Sequence, residues 1–124
     1  MRADGAFPHP SSLIPMLRHL FGLRTWHRVC GEADLEPGTG AVFTVDGCQI
    51  LLLRAGDGCY CALNNTCPHA GAPIGASCFD GETVTCRNHM MRFDARTGVC
   101  PDAPSWSAQS YPVRLQDGAI EVGL

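Results

Sequence analysis

Short runs of apolar and β-branched residues alternate with turn-forming dipeptides from Trp26 to the end of the chain, and this pattern predicts β-strands. The predicted strands cover residues 26–30, 41–45, 48–54, 59–63, 113–116 and 119–122. Asp-Gly pairs at 46–47, 57–58 and 117–118 separate neighbouring runs, and this dipeptide is a strong short-range signal for a β-hairpin. Short strands joined by such turns indicate an antiparallel sandwich or barrel.

One predicted strand has a different pattern from the others. Ile50, Leu51, Leu52 and Leu53 follow one another without an intervening polar residue. A strand without polar alternation is predicted to be covered on both of its faces.

The N-terminal part of the chain does not share the strand pattern. Glycine and proline interrupt residues 1–10, and apolar positions at helical spacing then predict a short amphipathic helix that ends at Gly22. We therefore divide the chain into an N-terminal extension, residues 1–25, and one β domain, residues 26–124. Such a short helix is not expected to be stable alone, so it must pack on the domain or on another molecule.

Two cysteine–histidine pairs lie in the middle of the chain. The first contains Cys67 and His69 in the order C-x-H, and the second contains Cys86 and His89 in the order C-x-x-H, with sixteen residues between the pairs. Two thiolates and two imidazoles bind either zinc or a [2Fe–2S] cluster in which two histidines replace two cysteines on one iron. Zinc sites normally begin with two cysteines in a short turn, so this spacing favours the cluster.

The two boxes and the sequence around them resemble the cluster-binding motif of the Rieske family. C-P-H-x-G at 67–71, F-D-x-x-T-G at 93–98 and the proline-rich segment 101–112 stand where that family has such sequences. The resemblance covers residues 26–122. It implies an all-β fold, an antiparallel β-sandwich or barrel base with a small inserted cluster-binding lobe at about residues 64–103, accompanied here by the short N-terminal helix.

The resemblance also implies a role for each of the four ligands. Cys67 and Cys86 hold the inner iron of one [2Fe–2S] Rieske cluster, and His69 and His89 hold the outer iron. Neutral imidazoles leave the outer iron less negatively charged than thiolates would, so the added electron localises there. In this family the histidine edges lie at the surface, which gives a redox partner a short path to that iron.

The sequence departs from the family pattern at positions that affect the reduction potential of the cluster and the backbone conformation of the second box. High-potential members of the family carry a second cysteine in each box, at the positions where this chain has Ala72 and Asn88. They also carry residues with hydroxyl donors at the positions where this chain has Met91 and Phe93. Hydrogen bonds to cluster sulfur raise the potential, so their absence predicts a value at the low end of the Rieske range, about −150 mV. Met90 replaces a common glycine and would adopt positive φ only at a cost.

Charge and composition bear on the kinds of molecule that this protein can bind and on its cellular compartment. Eleven of the twelve acidic residues follow Arg28, and an acidic domain argues against binding to nucleic acid. No apolar run is long enough for a membrane span and no secretory signal is recognisable, so we expect a cytoplasmic protein. In a reducing cytosol, the six cysteines outside the boxes are predicted to be small buried hydrophobes.

These features favour a soluble Rieske-type ferredoxin rather than an enzyme. It would carry single electrons from a flavin-dependent ferredoxin reductase to a terminal oxygenase or a similar redox acceptor, and its N-terminal segment is a candidate docking element for a partner. Two alternatives stay open. One is a small Rieske subunit of a nitrite reductase-type complex, and the other is a docking module in which the cluster only stabilises the fold.

Overall fold

The structure is a computed structural model, and it describes residues 24–68, 71–87 and 90–124. In those ranges it contains nine strands and two 3₁₀ turns. The strands are β1 (Trp26–Gly31), β2 (Gly40–Val45), β3 (Cys48–Arg54), β4 (Tyr60–Asn64), β5 (Thr83–Cys86), β6 (Met91–Asp94), β7 (Ser110–Tyr111), β8 (Val113–Gln116) and β9 (Ala119–Gly123), and the 3₁₀ turns are Glu32–Asp34 and Pro104–Trp106.

The strands form three antiparallel sheets. One sheet has the order β1-β9-β8, a second has the order β2-β3-β4-β7, and β5 pairs with β6 alone. The β5–β6 pair lies between β4 and β7 along the chain. The prediction of an all-β, antiparallel fold is therefore confirmed. The predicted N-terminal helix lies outside the described residues.

The predicted Asp-Gly hairpins differ in their turn geometry. Asp46 and Gly47 have φ values of 51° and 81°, and Asp117 and Gly118 have 53° and 77°, which is the pattern of two-residue type I′ hairpins. In the turn at residues 57–58 the glycine alone has positive φ, at 96°, and the loop closes through a backbone bond of 2.7 Å between Ala55 and Cys59. The Asp-Gly pair at 57–58 thus lies in a longer connection between strands than the other two Asp-Gly pairs.

Strand β3 is covered on both faces, as its sequence predicts. Its four central residues are fully buried. Ile50 and Leu52 pack into one hydrophobic cluster that includes Ile120 of β9, so this cluster joins the two larger sheets. Leu51 and Leu53 face the other way, into a second cluster. Because both faces are apolar and enclosed, this strand needs no polar alternation.

The second cluster connects the sheet to the cysteine boxes. It contains Leu63 of β4, Phe93 of β6 and Ile74, together with Cys67 and Cys86. Phe93 is its largest fully buried side chain. The core of the β5–β6 pair is therefore continuous with one face of the larger sheet, and both cysteines belong to this shared hydrophobic cluster.

The prediction of buried cysteines is only partly correct. Outside the boxes, the buried ones are Cys61 and Cys100, the half-buried ones are Cys30 and Cys78, and the exposed ones are Cys48 and Cys59. Cys48 and Cys59 each lie directly beside an Asp-Gly turn, where the strand ends and the sheet opens to solvent. Burial raises the pKa of the Cys61 thiol. All eight cysteines lie in the described ranges, and none of them forms a disulfide.

Helix length and hydropathy bear on whether the described part of the chain could cross a membrane. In the part of the chain that the structure describes, no helix has the length and the apolar composition that a membrane crossing requires.

Candidate metal centre

The first box begins where β4 ends, and a short ladder closes the loop that carries it. The backbone N–H of Cys67 donates to the carbonyl of Ala72 at 2.7 Å, and the N–H of Ile74 donates to the carbonyl of Asn65 at 2.7 Å. Inside this ladder, Gly71 has φ of 74° and donates back to the Cys67 carbonyl at 2.7 Å. The Cys67 side chain is fully buried. The loop from residue 67 to residue 72 is thus fixed at both ends by backbone bonds.

The second box begins at the last residue of β5. Cys86 is fully buried and pairs with Met91, the first residue of β6. The connection between these strands therefore consists of residues 87–90. Arg87 and Met90 are both exposed, and Met90 has φ of 56°. Met90 therefore does adopt the strained positive φ expected from its sequence position, where a glycine would take that backbone conformation without strain.

The turn before β5 is organised by the carboxylate of Asp80. Its Oδ1 accepts the backbone N–H groups of Thr83 at 2.7 Å and Glu82 at 2.9 Å. These two bonds lower the pKa of Asp80, because they stabilise its charged form. An isolated bridge between Phe79 and Val84 extends the same hairpin. The turn starts β5 three residues before Cys86.

The F-D-x-x-T-G sequence forms a tight turn after β6. Oδ2 of Asp94 accepts the N–H of Thr97 at 3.0 Å and its hydroxyl at 2.9 Å, and the N–H of Gly98 donates to the Asp94 carbonyl at 2.7 Å. The carbonyl of Gly98 accepts the N–H of Ala108 at 2.8 Å. This turn therefore connects β6 to the far end of the proline-rich segment.

The proline-rich segment is also tied to β6 by an ion pair. Arg92 donates to both carboxylate oxygens of Asp102, with its shortest contact at 2.9 Å. The segment continues through the Pro104–Trp106 turn, and the hydroxyl of Ser107 accepts the N–H of Cys100 at 3.0 Å. The arrangement holds this segment beside the strand that follows the second box.

The described residues include two of the four predicted ligands, Cys67 and Cys86, and both fit a thiolate-bound cluster. Cys67 and Cys86 lie fully buried in the same apolar cluster. His69 and His89 lie outside the described residues. Within residues 24–68, 71–87 and 90–124, no three His, Cys, Asp or Glu side chains come together as a metal site. His27, the one histidine in those ranges, lies on β1 in a different sheet.

The sequence pattern did not point to Asn65, although this residue contributes to the first box. It lies two residues before Cys67 and is the one buried polar side chain among the described residues, at 2% exposure. The available signal was an asparagine at the end of a predicted strand, since asparagine commonly bonds to nearby backbone at turns. Asp80 and Asp94 carried the same kind of signal.

The sequence model described as "Rieske [2Fe-2S] domain" matches residues 25–112. The chain belongs to the Rieske [2Fe–2S] family. The cofactor of that family is a [2Fe–2S] cluster, and the two buried thiols agree with it.

A named ferredoxin and a solved structure are similar to this chain over most of its length. "Ferredoxin CarAc" of Metapseudomonas resinovorans is 32% identical over 99 residues, which are 78% of this chain and 92% of the relative. A structure of a candidate NADH-dependent nitrite reductase small subunit from Mycobacterium tuberculosis is 30% identical, with a TM-score of 0.68 and coverage of 82% and 96%.

A third similar structure is a complex between the reduced oxygenase and the oxidised ferredoxin of carbazole 1,9a-dioxygenase. The matched chain is 27% identical, with a TM-score of 0.71 and coverage of 79% of this chain and 92% of that chain. These similarities define a Rieske ferredoxin-like electron carrier. Its named relatives also include ferredoxin components of biphenyl dioxygenases.

Proposed function

We propose that this protein is a soluble, cytoplasmic Rieske-type ferredoxin whose cluster is held by Cys67, His69, Cys86 and His89. The observation that carries the proposal is the burial of both thiols in one apolar cluster, each at the start of a box that also contains a histidine. Two sulfur ligands at one apolar centre suit an iron–sulfur cluster, because thiolates are its normal protein ligands.

Each part of the site then has a defined task. When bound, the [2Fe–2S] cluster supplies one-electron oxidation and reduction. The thiolates of Cys67 and Cys86 anchor it from the protein interior, and Phe93 and Ile74 exclude water from that side. The imidazoles of His69 and His89 complete the ligand set toward a redox partner. No described residue is assigned a catalytic role, since the protein's task is to carry an electron.

The side chains near the second box support a potential at the low end of the Rieske range. Met91 pairs with Cys86, and Phe93 is fully buried in the cluster that contains both cysteines. Neither side chain has an N–H or O–H group that could bond to sulfur. We therefore propose a potential of about −150 mV, as befits a ferredoxin rather than a quinol-oxidising protein.

The proposed partners are a flavin-dependent ferredoxin reductase as donor and a terminal oxygenase as acceptor. The support is similarity to a ferredoxin that forms a complex with its oxygenase. In this proposal residues 26–124 form the Rieske domain, with the cluster-binding lobe at about 64–103 on the antiparallel base. Residues 1–25 form an extension whose short helix can dock on a partner.

A second candidate function is that of a small subunit in a nitrite reductase-type complex. Its support is the structural similarity to such a subunit at 30% identity. The four ligand positions in this chain favour a cluster that carries electrons in either case. The two functions differ in the acceptor, so transfer to a purified oxygenase or to a nitrite reductase large subunit distinguishes them.

The first experiment is electron paramagnetic resonance on the dithionite-reduced protein, with iron and sulfide measured on the same sample. We expect a rhombic spectrum with a low average g value, and about two irons per chain. His69→Ala should abolish this signal, whereas His27→Ala, in a different sheet, should leave it unchanged. A silent sample that contains zinc would overturn the proposal and leave a structural metal domain.

A further inference from the structure

Asn65 joins two parts of the fold through hydrogen bonds of both its backbone and its side-chain amide. Its backbone N–H donates to the carbonyl of Gln49 at 3.0 Å, and its Nδ2 donates to the side-chain oxygen of Gln49 at 3.1 Å. On the other side, its carbonyl accepts the N–H of Ile74 at 2.7 Å, and its Oδ1 accepts the N–H of Gly75 at 2.8 Å. One buried residue thus connects β3 to the segment that closes the first box.

These bonds determine where the first box lies. Residues 65–67 and 72–74 form the ladder beneath the loop, and Asn65 forms its end nearest β3. Gly75 has φ of 73°, so the chain turns away from the ladder there. Without Oδ1, the half-buried N–H of Gly75 would lose its partner, and the backbone at this turn would be held less firmly.

The chemistry of this position requires an amide. The side chain must donate to an oxygen of Gln49 and, at the same time, accept from the N–H of Gly75. Leucine has the same number and branching of side-chain heavy atoms but makes neither bond. Asn65 itself is buried, so its amide group depends on these two bonds, because water has little access to it.

We propose that Asn65 is a positioning residue for the cluster, which holds the loop of Cys67 and His69 in register with β3. The inference rests on the proposed ligand set and extends it to a residue that contacts no iron. Groups of this kind, which orient ligands without binding the metal, commonly change metal retention when they are replaced. Asn65 acts entirely through the backbone of the loop.

The test compares iron release from the cluster-loaded Asn65→Leu variant and wild type in excess bipyridyl, at a temperature where both remain folded. We expect release that is about 10- to 100-fold faster in the variant, together with changed g values. Amide hydrogen exchange should become faster at Ile74 and Gly75. Ile120→Val, in the other hydrophobic cluster, is the control for general loss of stability and should leave g values and release unchanged.

Gln49→Ala provides a second variant in case Asn65→Leu does not fold. Gln49 is exposed, and its replacement keeps the one backbone bond to Asn65 while removing the side-chain partner of Nδ2. We expect release at a rate between those of wild type and Asn65→Leu. Unchanged release and g values in a folded, loaded Asn65 variant would overturn this inference alone. A wild-type protein without the cluster would overturn the proposed function as well.

Discussion

Cys86 and Met91 lie directly opposite each other in the antiparallel pair of β5 and β6. Only residues 87–90 connect them, so the second proposed histidine ligand belongs to a four-residue connection that begins at a buried thiol. The chain re-enters β6 through Met90, whose φ is 56°. The pairing of these strands therefore imposes a left-handed conformation on a residue that has a side chain.

Replacement of Met90 separates the cost of this conformation from any effect of the side chain. The Met90 side chain is 70% exposed, so its removal forfeits little packing. Met90→Ala keeps the strain and Met90→Gly relieves it, so we expect the glycine variant to be more stable than the alanine variant by about 1 kcal/mol. Urea unfolding at matched iron content measures this difference. Equal stability of the two variants would contradict the assignment of strain.

Asp80 should make the hairpin before β5 sensitive to acid. Bonds from the Thr83 and Glu82 N–H groups hold its pKa below the ordinary value of 3.8 in the folded protein. A carboxyl group with a lowered folded pKa stabilises the fold above its unfolded pKa, and this contribution is lost as the pH falls through the folded pKa. The stability that Asp80 supplies should therefore be complete at about pH 6 and be lost progressively as the pH falls below about 4.

The matched comparison for this effect is Asp80→Asn, which keeps an oxygen acceptor but has no charge. Thermal unfolding from about pH 6 to pH 3 should show a smaller loss of stability in the variant than in wild type. Other carboxyl groups, including Asp57, are common to both proteins and cancel in the difference. A difference in melting temperature that does not change with pH would show that the charge of Asp80 has no role.

Six of the nine strands in the described residues were predictable, because each of these six is specified by its own short sequence. The predicted bounds of β3 and β8 agree with the structure, and the type I′ turns follow from Asp-Gly at 46–47 and 117–118. The two-sided burial of β3 also follows directly from its uninterrupted apolar run. The four candidate ligands were predicted from the unusual spacing of cysteine and histidine in the two boxes, together with the family-like sequences around them.

The features that the sequence did not predict depend on contacts between distant segments. The exposure of Cys48 and Cys59 depends on where the sheet edges end, which residue type does not specify. The role of Asn65 depends on Gly75 and on Gln49, which lie ten and sixteen residues away. A local pattern shows that an asparagine is suited to a turn, but not which N–H it will accept.

Gly98 illustrates such a distant contact, and its replacement should be severe. It has φ of 79°, and a Cβ atom there would collide with the carbonyl oxygen of Ala108. Gly98→Ala should therefore cost about 3 kcal/mol or more. Gly118→Ala is the matched control, because its φ is 77° and no atom would contact the new Cβ, so it should cost only about 1 kcal/mol. Similar losses in the two variants, measured by urea unfolding, would exclude the collision as the cause.

Removal of a proposed ligand can be compared with removal of an equally buried cysteine from the same core. Cys86 and Cys100 belong to one hydrophobic cluster and are both essentially inaccessible to solvent. Each Cys→Ala change deletes one sulfur atom and leaves a similar small cavity, so the two apo proteins should lose similar stability.

Only the Cys86→Ala variant should lose the cluster, since three remaining ligands cannot satisfy both irons. Iron and sulfide analysis and the visible absorption spectrum measure this directly, and we expect Cys100→Ala to keep the wild-type content. If both variants lost iron to the same extent, the effect would come from the weakened core rather than from the missing ligand. Retention of the full cluster by Cys86→Ala would remove Cys86 from the ligand set.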